Sequence, residues 1–162
     1  MILDVGCGKH KHGDIGIDYS RDSNADIIAD AHFLPFKLGC FSKVVSNCVL
    51  EHSPNPLIFL KEQYRILRDG GNIECLTDNA QYYGWSVLKI RGQRHEKLHG
   101  DHYAIFFPEN VIRLMKIAGF KDCSLAYVRK KRRLDLLCAF FVKIGFWRKE
   151  SFYKRFKVIC KK

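Results

Sequence analysis

Short apolar runs, many of them β-branched, recur through the first half of the chain and end at a glycine or a polar side chain. Such runs are typical of strands that are buried on both faces of a parallel sheet. Five strands are predicted in this half: Ile2–Val5, Ile15–Asp18, Ile27–Asp30, Val44–Asn47 and Asn72–Leu76. Two more strand patterns follow near the end of the chain, at Asp122–Val128 and Phe156–Cys160.

Helical patterns separate these strands. One begins at Pro54 and Pro56 and stops at Asp69–Gly71. Its apolar face is predicted to carry Leu57, Leu60, Tyr64 and Leu67. A second helix is predicted at Pro108–Ala118, with Gly119 as its C-terminal cap. Its apolar stripe is Val111, Leu114, Met115 and Ala118. Strands alternating with helices predict an α/β fold, and we expect one domain over residues 1–162.

Residues 80–107 have no clear period and are rich in aromatic side chains, histidine and glycine. A long irregular segment inside a compact domain is often a lid or a binding loop. We therefore expect this segment to lie over a ligand site.

The composition is that of a globular protein, with 47% hydrophobic and 28% charged residues in 162. No apolar stretch reaches the roughly 18 residues of a membrane span, and the N-terminus lacks a secretory leader pattern. The seven cysteines are widely spaced and form no CxxC pair. We expect reduced thiols in a cytoplasmic protein.

The net charge of +11 is confined to the end of the chain. Residues 1–128 carry 15 basic and 15 acidic side chains, whereas residues 129–162 carry 13 basic and 2 acidic ones. The basic run Arg129–Arg133 precedes the apolar stretch Leu134–Trp147, and residues 129–149 are predicted to form an insertion before the last strand. A core helix or homodimer contact is favoured there, followed by the inner face of a membrane; nucleic acid is less favoured.

The segment Leu3–Gly8 is a buried strand that runs into a turn with two glycines, Gly6 and Gly8. Such a turn lets a ligand approach the backbone closely. The third glycine of a GxGxxG dinucleotide motif is replaced by Lys11, and no phosphate-binding loop motif is present. These residues favour a nucleoside-type ligand.

Acidic residues follow the first three strands in order: Asp4, Asp18 and Asp30. A carboxylate can accept hydrogen bonds from both hydroxyls of a ribose, and we expect Asp18 to do so. The alternative for each is a solvated aspartate at a strand end.

With these motifs the chain resembles the class I S-adenosylmethionine-dependent methyltransferases, in particular the type 11 group. The motifs that carry the resemblance, over residues 2–121, are LDVGCG, IGIDYS, ADAHFLPF, FSKVVSNCVLEHSPNP, EQYRILRDGG and FFPENVIRLMKIAGF. The resemblance implies a Rossmann-like fold with a single, mostly parallel seven-stranded sheet flanked by helices, its last strand antiparallel. It also implies S-adenosyl-L-methionine as the cofactor.

The resemblance further assigns the cofactor-binding residues. The methionine part would be met by Asp4, Gly6, Cys7 and Gly8. The ribose would be bound by Asp18 with Tyr19, and the adenine edge by Asp30 and Ala31. The end of the fourth strand would contribute Asn47 to the pocket.

The sequence departs from the family pattern at several points. The helix between the first two strands is reduced to Lys9–Asp14, and the family's FD pair is Phe41-Ser42 here. The chain as given starts at the first strand, so we expect a fold without the N-terminal cover helix. The short turn and the stretch His102–Glu109 resemble a subgroup found with sugar- and polysaccharide-assembly genes.

His52 is the candidate catalytic base, because a neutral imidazole can take a proton from an acceptor hydroxyl near pH 7. The alternative is a hydrogen bond from His52 to the backbone at the helix entry. His95, His99 and His102 suggest a metal, but Gly100 and the absence of a nearby cysteine argue against a closed zinc site. No metal site is expected.

The sequence thus predicts S-adenosylmethionine-dependent methyl transfer to a small molecule, a saccharide or a lipid-linked acceptor. One alternative is an RNA methyltransferase that uses the basic C-terminal segment. The other is a cofactor-binding protein without catalytic activity.

Overall fold

The computed structural model of the chain describes residues 1–82, 102–128, 143 and 153–162. Seven strands form one sheet in the order β3-β2-β1-β4-β5-β7-β6. Their bounds are β1 Ile2–Val5, β2 Ile15–Asp18, β3 Ile27–Ile28, β4 Phe41–Asn47, β5 Leu67–Asp78, β6 Lys121–Val128 and β7 Arg155–Lys161. Strands β1 to β5 pair in parallel, and β7 runs antiparallel between β5 and β6. The predicted α/β fold with a mostly parallel seven-stranded sheet is confirmed.

Helix α1 (Pro56–Ile66) begins at a side-chain cap: the Asn55 amide oxygen accepts a hydrogen bond from the Ile58 N–H at 3.2 Å. Proline at the first helical position suits this start, since its missing N–H needs no partner there. A 3₁₀ turn, Leu50–His52, lies between β4 and α1. The connection from the carboxyl end of β4 to α1 is therefore short and is held by the 3₁₀ turn and the Asn55 cap.

Helix α2 (Pro108–Ala118) has the predicted bounds. It ends at Gly119, whose φ of 113° is the left-handed conformation that favours glycine. An added Cβ there would lie 3.0 Å from the Tyr64 ring of α1. The cap therefore also lets the two helices pack together on one face of the sheet.

The largest fully buried side chains come from both sheet and helices and form a single core cluster. Phe41, Ile73 and Phe156 supply it from strands, and Phe59 and Met115 supply it from helices. Burial of an aliphatic or aromatic side chain is worth about 1.5–3 kcal/mol each. These side chains pack against the central strands and so hold in place the edge of the sheet at which the carboxyl ends of the parallel strands lie.

Two details of the predicted first helix are wrong. Leu67 does not continue the α1 face but is the first residue of β5, where it pairs with Phe41 and is fully buried. The predicted stop at Asp69–Gly71 lies inside β5, in the irregular stretch between the Phe41–Leu67 and Lys43–Asn72 pairs. The spacing of apolar residues does not distinguish a longer helix from a helix followed by a buried strand, because both place Leu67 in the core.

The expectation that the cysteines are reduced thiols is also corrected. Cys123 on β6 and Cys160 on β7 form a disulfide, with an S–S distance of 2.10 Å. Neighbouring antiparallel strands bring the two together although they are 37 residues apart. Cys7, Cys40, Cys48 and Cys75 are free thiols.

Residues 6–14 join β1 to β2 through turns without a helix, which confirms the shortened connection. Most of residues 80–107 lies outside the described residues, and so does the basic and apolar insertion 129–149 apart from Lys143. Within the described parts of the chain, no helix has the combined length and hydropathy that crossing a bilayer requires.

Candidate active site

The turn after β1 is held against the end of β2. The N–H groups of Gly6 and Cys7 both donate to the Ile17 carbonyl, at 2.8 and 3.1 Å. Gly6 has a φ of 68°, and a Cβ built on it would lie 2.3 Å from Val49 Cγ2. Both facts require glycine here, because any side chain would be strained and would collide with Val49.

The Asp18 carboxylate supports the same turn. Its Oδ2 accepts from the Gly8 N–H and its Oδ1 from the Ser20 N–H, each at 2.8 Å. Each carboxylate oxygen can accept a second hydrogen bond. Asp18 is therefore rigidly oriented and still able to accept hydrogen bonds from a pair of ligand hydroxyls.

The Asp30 carboxylate is held by His32. Asp30 Oδ1 accepts from the backbone N–H of His32 at 2.8 Å and lies 2.6 Å from its ring Nδ1. The backbone hydrogen bond from His32 is the main reason why the pKa of Asp30 is lowered. The other ring nitrogen, Nε2, lies 2.7 Å from Ser53 Oγ, and the ring packs edge-on against Phe59. A relay of three side chains thus joins the end of β3 to the entry of α1.

A cavity of about 620 Å³ opens at this sheet edge. Small-molecule sites have volumes of about 300–1,000 Å³. Its walls come from the strand ends and from the β4–α1 connection: Gly6, Ile17, Asp18, Tyr19, Ala29, Asp30, Ala31, His32, Cys48, Val49, His52, Ser53, Pro54, Phe59 and Tyr103.

Six of the ten site residues predicted from the sequence line this cavity: Gly6, Asp18, Tyr19, Asp30, Ala31 and His52. The other four, Asp4, Cys7, Gly8 and Asn47, are not on its wall. The nine binding roles and the catalytic role of His52 stay predictions, but these four residues have different surroundings.

Asp4 is fully buried below the turn, where its Oδ2 accepts from the His12 N–H at 2.7 Å, and burial raises its pKa. Cys7 is buried with its Sγ over Gly16, and burial, followed by the charge of Asp4, raises its pKa. Asn47 is the last residue of β4 and pairs with Leu76. Asp4 and Cys7 therefore pack beneath the glycine turn.

The 3₁₀ turn Leu50–His52 sits beside the cavity and carries a buried carboxylate. Glu51 Oε2 accepts from Thr77 Oγ1 at 2.7 Å. The Glu51 carbonyl accepts from the N–H groups of Tyr103 and Ala104, at 2.8 and 3.3 Å. These bonds tie the start of the segment leading into α2 to the end of β4.

The rings of His52 and His102 meet edge to face, with centroids 4.5 Å apart. Burial, and next the neighbouring His52, lower the pKa of His102. Cys48, at the start of the same connection, has a φ of 57°. Burial, and next the charge of Glu51, raise the pKa of its thiol to about 11.

Sequence reasoning missed several residues at this site, among them His32, Glu51, Ser53 and Tyr103. His32 stands two positions after Asp30, and no spacing rule distinguishes such a histidine from a solvated one. The sequence groups His102 with His95 and His99 as metal candidates, and those two histidines lie outside the described residues.

The residues present fit S-adenosylmethionine. A strained glycine turn meets the cavity at Gly6, and Asp18 has acceptor capacity left for a ribose diol. Asp30 has its Oδ1 taken by His32, and no donor in the described part of the chain binds its Oδ2, which can accept from an adenine amino group.

Comparison with known proteins agrees with this geometry. Residues 3–75 match a family model described as "Methyltransferase domain", of type 11. A 2-methyl-6-phytyl-1,4-hydroquinone methyltransferase of rice is 32% identical over 103 residues, which are 63% of this chain. The chain spans only 27% of that relative's length, about a quarter of it.

Solved structures match over almost the whole chain. A SAM-dependent methyltransferase from Archaeoglobus fulgidus has a TM-score of 0.75 at 16% identity, covering 99% of this chain and 85% of its own. A SAM-dependent methyltransferase from Thermotoga maritima, described as a possible histamine N-methyltransferase, has a TM-score of 0.73 at 19% identity, covering 99% and 81%. At these identities the likeness establishes the fold. The chain therefore has the fold of these S-adenosylmethionine-dependent methyltransferases, and its residues 3–75, which include the glycine turn, match the methyltransferase domain family.

Proposed function

We propose that this chain transfers the methyl group of S-adenosylmethionine to a small molecule or to the accessible end of a saccharide or lipid-linked acceptor. The observation that carries the proposal is one cavity lined by two chemically different sets of side chains. One set is the carboxylates of Asp18 and Asp30, and the other is His52, Ser53 and Tyr103. A cofactor and an acceptor need such a shared space, because the reaction is a direct transfer between them.

The two carboxylates and the glycine turn would hold the cofactor. Asp18 would accept from the ribose hydroxyls, and Asp30 from the adenine amino group, while the backbone at Gly6 lets the ligand come close. Bound S-adenosylmethionine supplies an electrophilic methyl group, whose bond to sulfur breaks with the electron pair returning to sulfur as an acceptor lone pair forms the new bond.

The second set of side chains would orient the acceptor and take its proton. His52 lies on the cavity wall and stays the predicted base, since a neutral imidazole can accept a proton. Two exposed aromatic rings, Tyr19 and Tyr103, also line the cavity. Exposed rings at a cavity wall favour an acceptor with apolar or ring surface. The hydroquinone named in the rice relative is of that kind.

Calorimetric titration of the full chain with S-adenosylmethionine and S-adenosylhomocysteine tests cofactor binding. Asp18→Ala should weaken both ligands at least about tenfold, because it removes an acceptor for the ribose and loosens the glycine turn. Asp22→Ala, an exposed aspartate in the following loop, is the matched control and should bind normally. Unchanged binding by Asp18→Ala would refute the ribose assignment, and no binding by the wild type would refute the function.

Transfer of an isotopically labelled methyl group then tests the acceptor class. We expect incorporation into members of a panel of hydroquinones, lipid-linked saccharides and free saccharides. Incorporation into RNA alone would contradict the proposal and would support the nucleic-acid alternative.

A further inference from the structure

Three side chains beside the cavity come together from two distant parts of the chain: Glu51 and His52 in the 3₁₀ turn, and His102 ahead of α2. One ligand atom from each lies within 4.8 Å of the others. Glu51 is buried, His102 is half-buried and His52 is exposed. Two imidazoles and one carboxylate are a ligand set that holds divalent transition-metal ions and leaves coordination positions open.

The framework of this cluster is fixed by hydrogen bonds. The Glu51 carboxylate is oriented by Thr77 Oγ1 at 2.7 Å, and the Glu51 carbonyl accepts from the N–H of Tyr103, the residue next to His102. Ligand atoms around a tetrahedral ion at about 2.1 Å are roughly 3.4 Å apart. Rotation of the His52 ring can bring its nitrogen from 4.8 Å or less to this distance, since His52 is the exposed one of the three side chains.

The charges around Glu51 also favour a cation. Glu51 is 1% exposed, and its carboxylate forms no ion pair with any residue in the described ranges. Burying a carboxylate costs several kcal/mol unless a positive charge or hydrogen bonds compensate for it. Among the described residues, Thr77 supplies one side-chain hydrogen bond and the Arg155 charge acts on Glu51 without a direct ion pair. An ion held by the two imidazoles would supply a compensating positive charge.

A second cluster shares Glu51 and includes Cys48 and Asp78. It is a weaker candidate, because Asp78 already forms an ion pair with Arg155, whose Nε lies 3.1 Å from Oδ1. The Asp78 carboxylate is therefore already paired with a cation. The two clusters can be told apart experimentally, since only one contains sulfur.

We propose that Glu51, His52 and His102 bind a divalent transition-metal ion of the zinc class, whose open position faces the cavity and takes an oxygen atom of the methyl acceptor. This inference rests on the proposed function for the role of the ion but not for its binding. His52 lines the cavity, so an ion bound to its ring would lie at the cavity wall and could contact a bound acceptor. A ring nitrogen that binds metal cannot also accept a proton, and the ion would instead favour the deprotonated form of an acceptor hydroxyl.

Titration of the chelator-treated full chain with Co²⁺, followed by its visible absorption and by competition with Zn²⁺, tests the site. We expect one equivalent of Co²⁺ to bind and to give the visible absorption band that Co²⁺ shows in a coordination site of low symmetry. Zn²⁺ should displace the Co²⁺ and abolish this band. His52→Ala and His102→Ala should each weaken Co²⁺ binding about 10–100-fold. His10→Ala, an exposed histidine near the glycine turn, is the matched control and should leave the titration unchanged.

His52 is exposed, so His52→Ala is expected to fold normally, which circular dichroism and thermal unfolding verify for each variant. The proposal is overturned if wild-type protein gives no Co²⁺ band, or if His52→Ala and His102→Ala together leave it intact. It is also overturned by a thiolate-to-cobalt band that disappears in Cys48→Ala, because the ion would then occupy the second cluster. Calorimetry with S-adenosylmethionine on the metal-free protein reports separately on the proposed function.

Discussion

The imidazole Nδ1 of His32 lies 2.6 Å from the Asp30 carboxylate, and the same ring reaches Ser53 across the cavity wall. This contact fixes a carboxylate that is itself half-exposed and lies two residues beyond the two-residue strand β3. A residue beyond the end of so short a strand has no sheet hydrogen bonds to hold it. His32 therefore sets the orientation in which Asp30 faces a ligand.

His32→Ala is expected to weaken binding of S-adenosylmethionine about tenfold, since a hydrogen bond to a charged group is worth about 1.5–3 kcal/mol and part of this is recovered by water. Ser53→Ala should have a smaller effect, because it removes the outer contact of the relay and leaves Asp30 bonded to His32. Calorimetry measures both. Equal binding by wild type and His32→Ala would show that Asp30 needs no positioning.

Gly6→Ala should destabilise the fold by about 2–5 kcal/mol, from the left-handed backbone and the collision with Val49. Gly8 also has a positive φ, of 53°, but has no atoms within 4 Å of an added Cβ. Gly8→Ala is therefore the matched control and should cost only about 1–2 kcal/mol. Denaturant unfolding measures both values. Adding Val49→Ala to Gly6→Ala should cost less than the two changes separately, and strict additivity would contradict the contact.

Glu62 makes the stability depend on acid pH. Hydrogen bonds from the Arg65 side chain, 2.8 Å from each Glu62 oxygen, are the main reason why the pKa of Glu62 is lowered from 4.5. A carboxylate whose pKa is lowered by folding contributes stability that is complete above its ordinary pKa and is lost as the pH falls through the folded pKa. Glu62→Gln should therefore unfold at lower denaturant concentration at pH 7, and the gap to wild type should narrow below about pH 4.

Asp22→Asn, at an exposed position, is the control for this measurement and should follow the wild-type profile. A gap between Glu62→Gln and wild type that stays constant from neutral to acid pH would mean that the lowered pKa does not contribute to stability.

Reduction of the Cys123–Cys160 disulfide should lower the free energy of unfolding by about 2–4 kcal/mol. The two cysteines are 37 residues apart, and without the bond the unfolded chain between them gains conformational entropy. Cys123→Ala should unfold in the same way with and without reductant. Cys40→Ser, at an exposed free thiol, should keep the wild-type response. Identical unfolding of wild type in both conditions would show that the bond does not form in solution.

Local pattern was enough to predict much of the fold. Strands β1 and β2 and helix α2 have the predicted bounds, since each combines a clear apolar period with a glycine or proline near one end. Strand β3 is shorter than predicted, Ile27–Ile28 instead of Ile27–Asp30, and the Asp30 carboxylate beyond it is engaged in the His32 contacts. The predicted bounds were wrong where pairing with another strand, and not the local pattern, decides where an element ends.

The sequence by itself determined the α/β class, the glycine turn and the acidic residues at successive strand ends, because these depend on periodicity and on the backbone freedom of single residues. Only the tertiary structure decided that Cys123 meets Cys160, that His32 joins Asp30 to Ser53, and that His102 reaches Glu51 and His52. These groups are 21 to 51 positions apart, and their meeting depends on strand register and on the path of the connections. No short-range pattern carries that information, which is why the chemistry beside the cavity was the part least visible in the sequence.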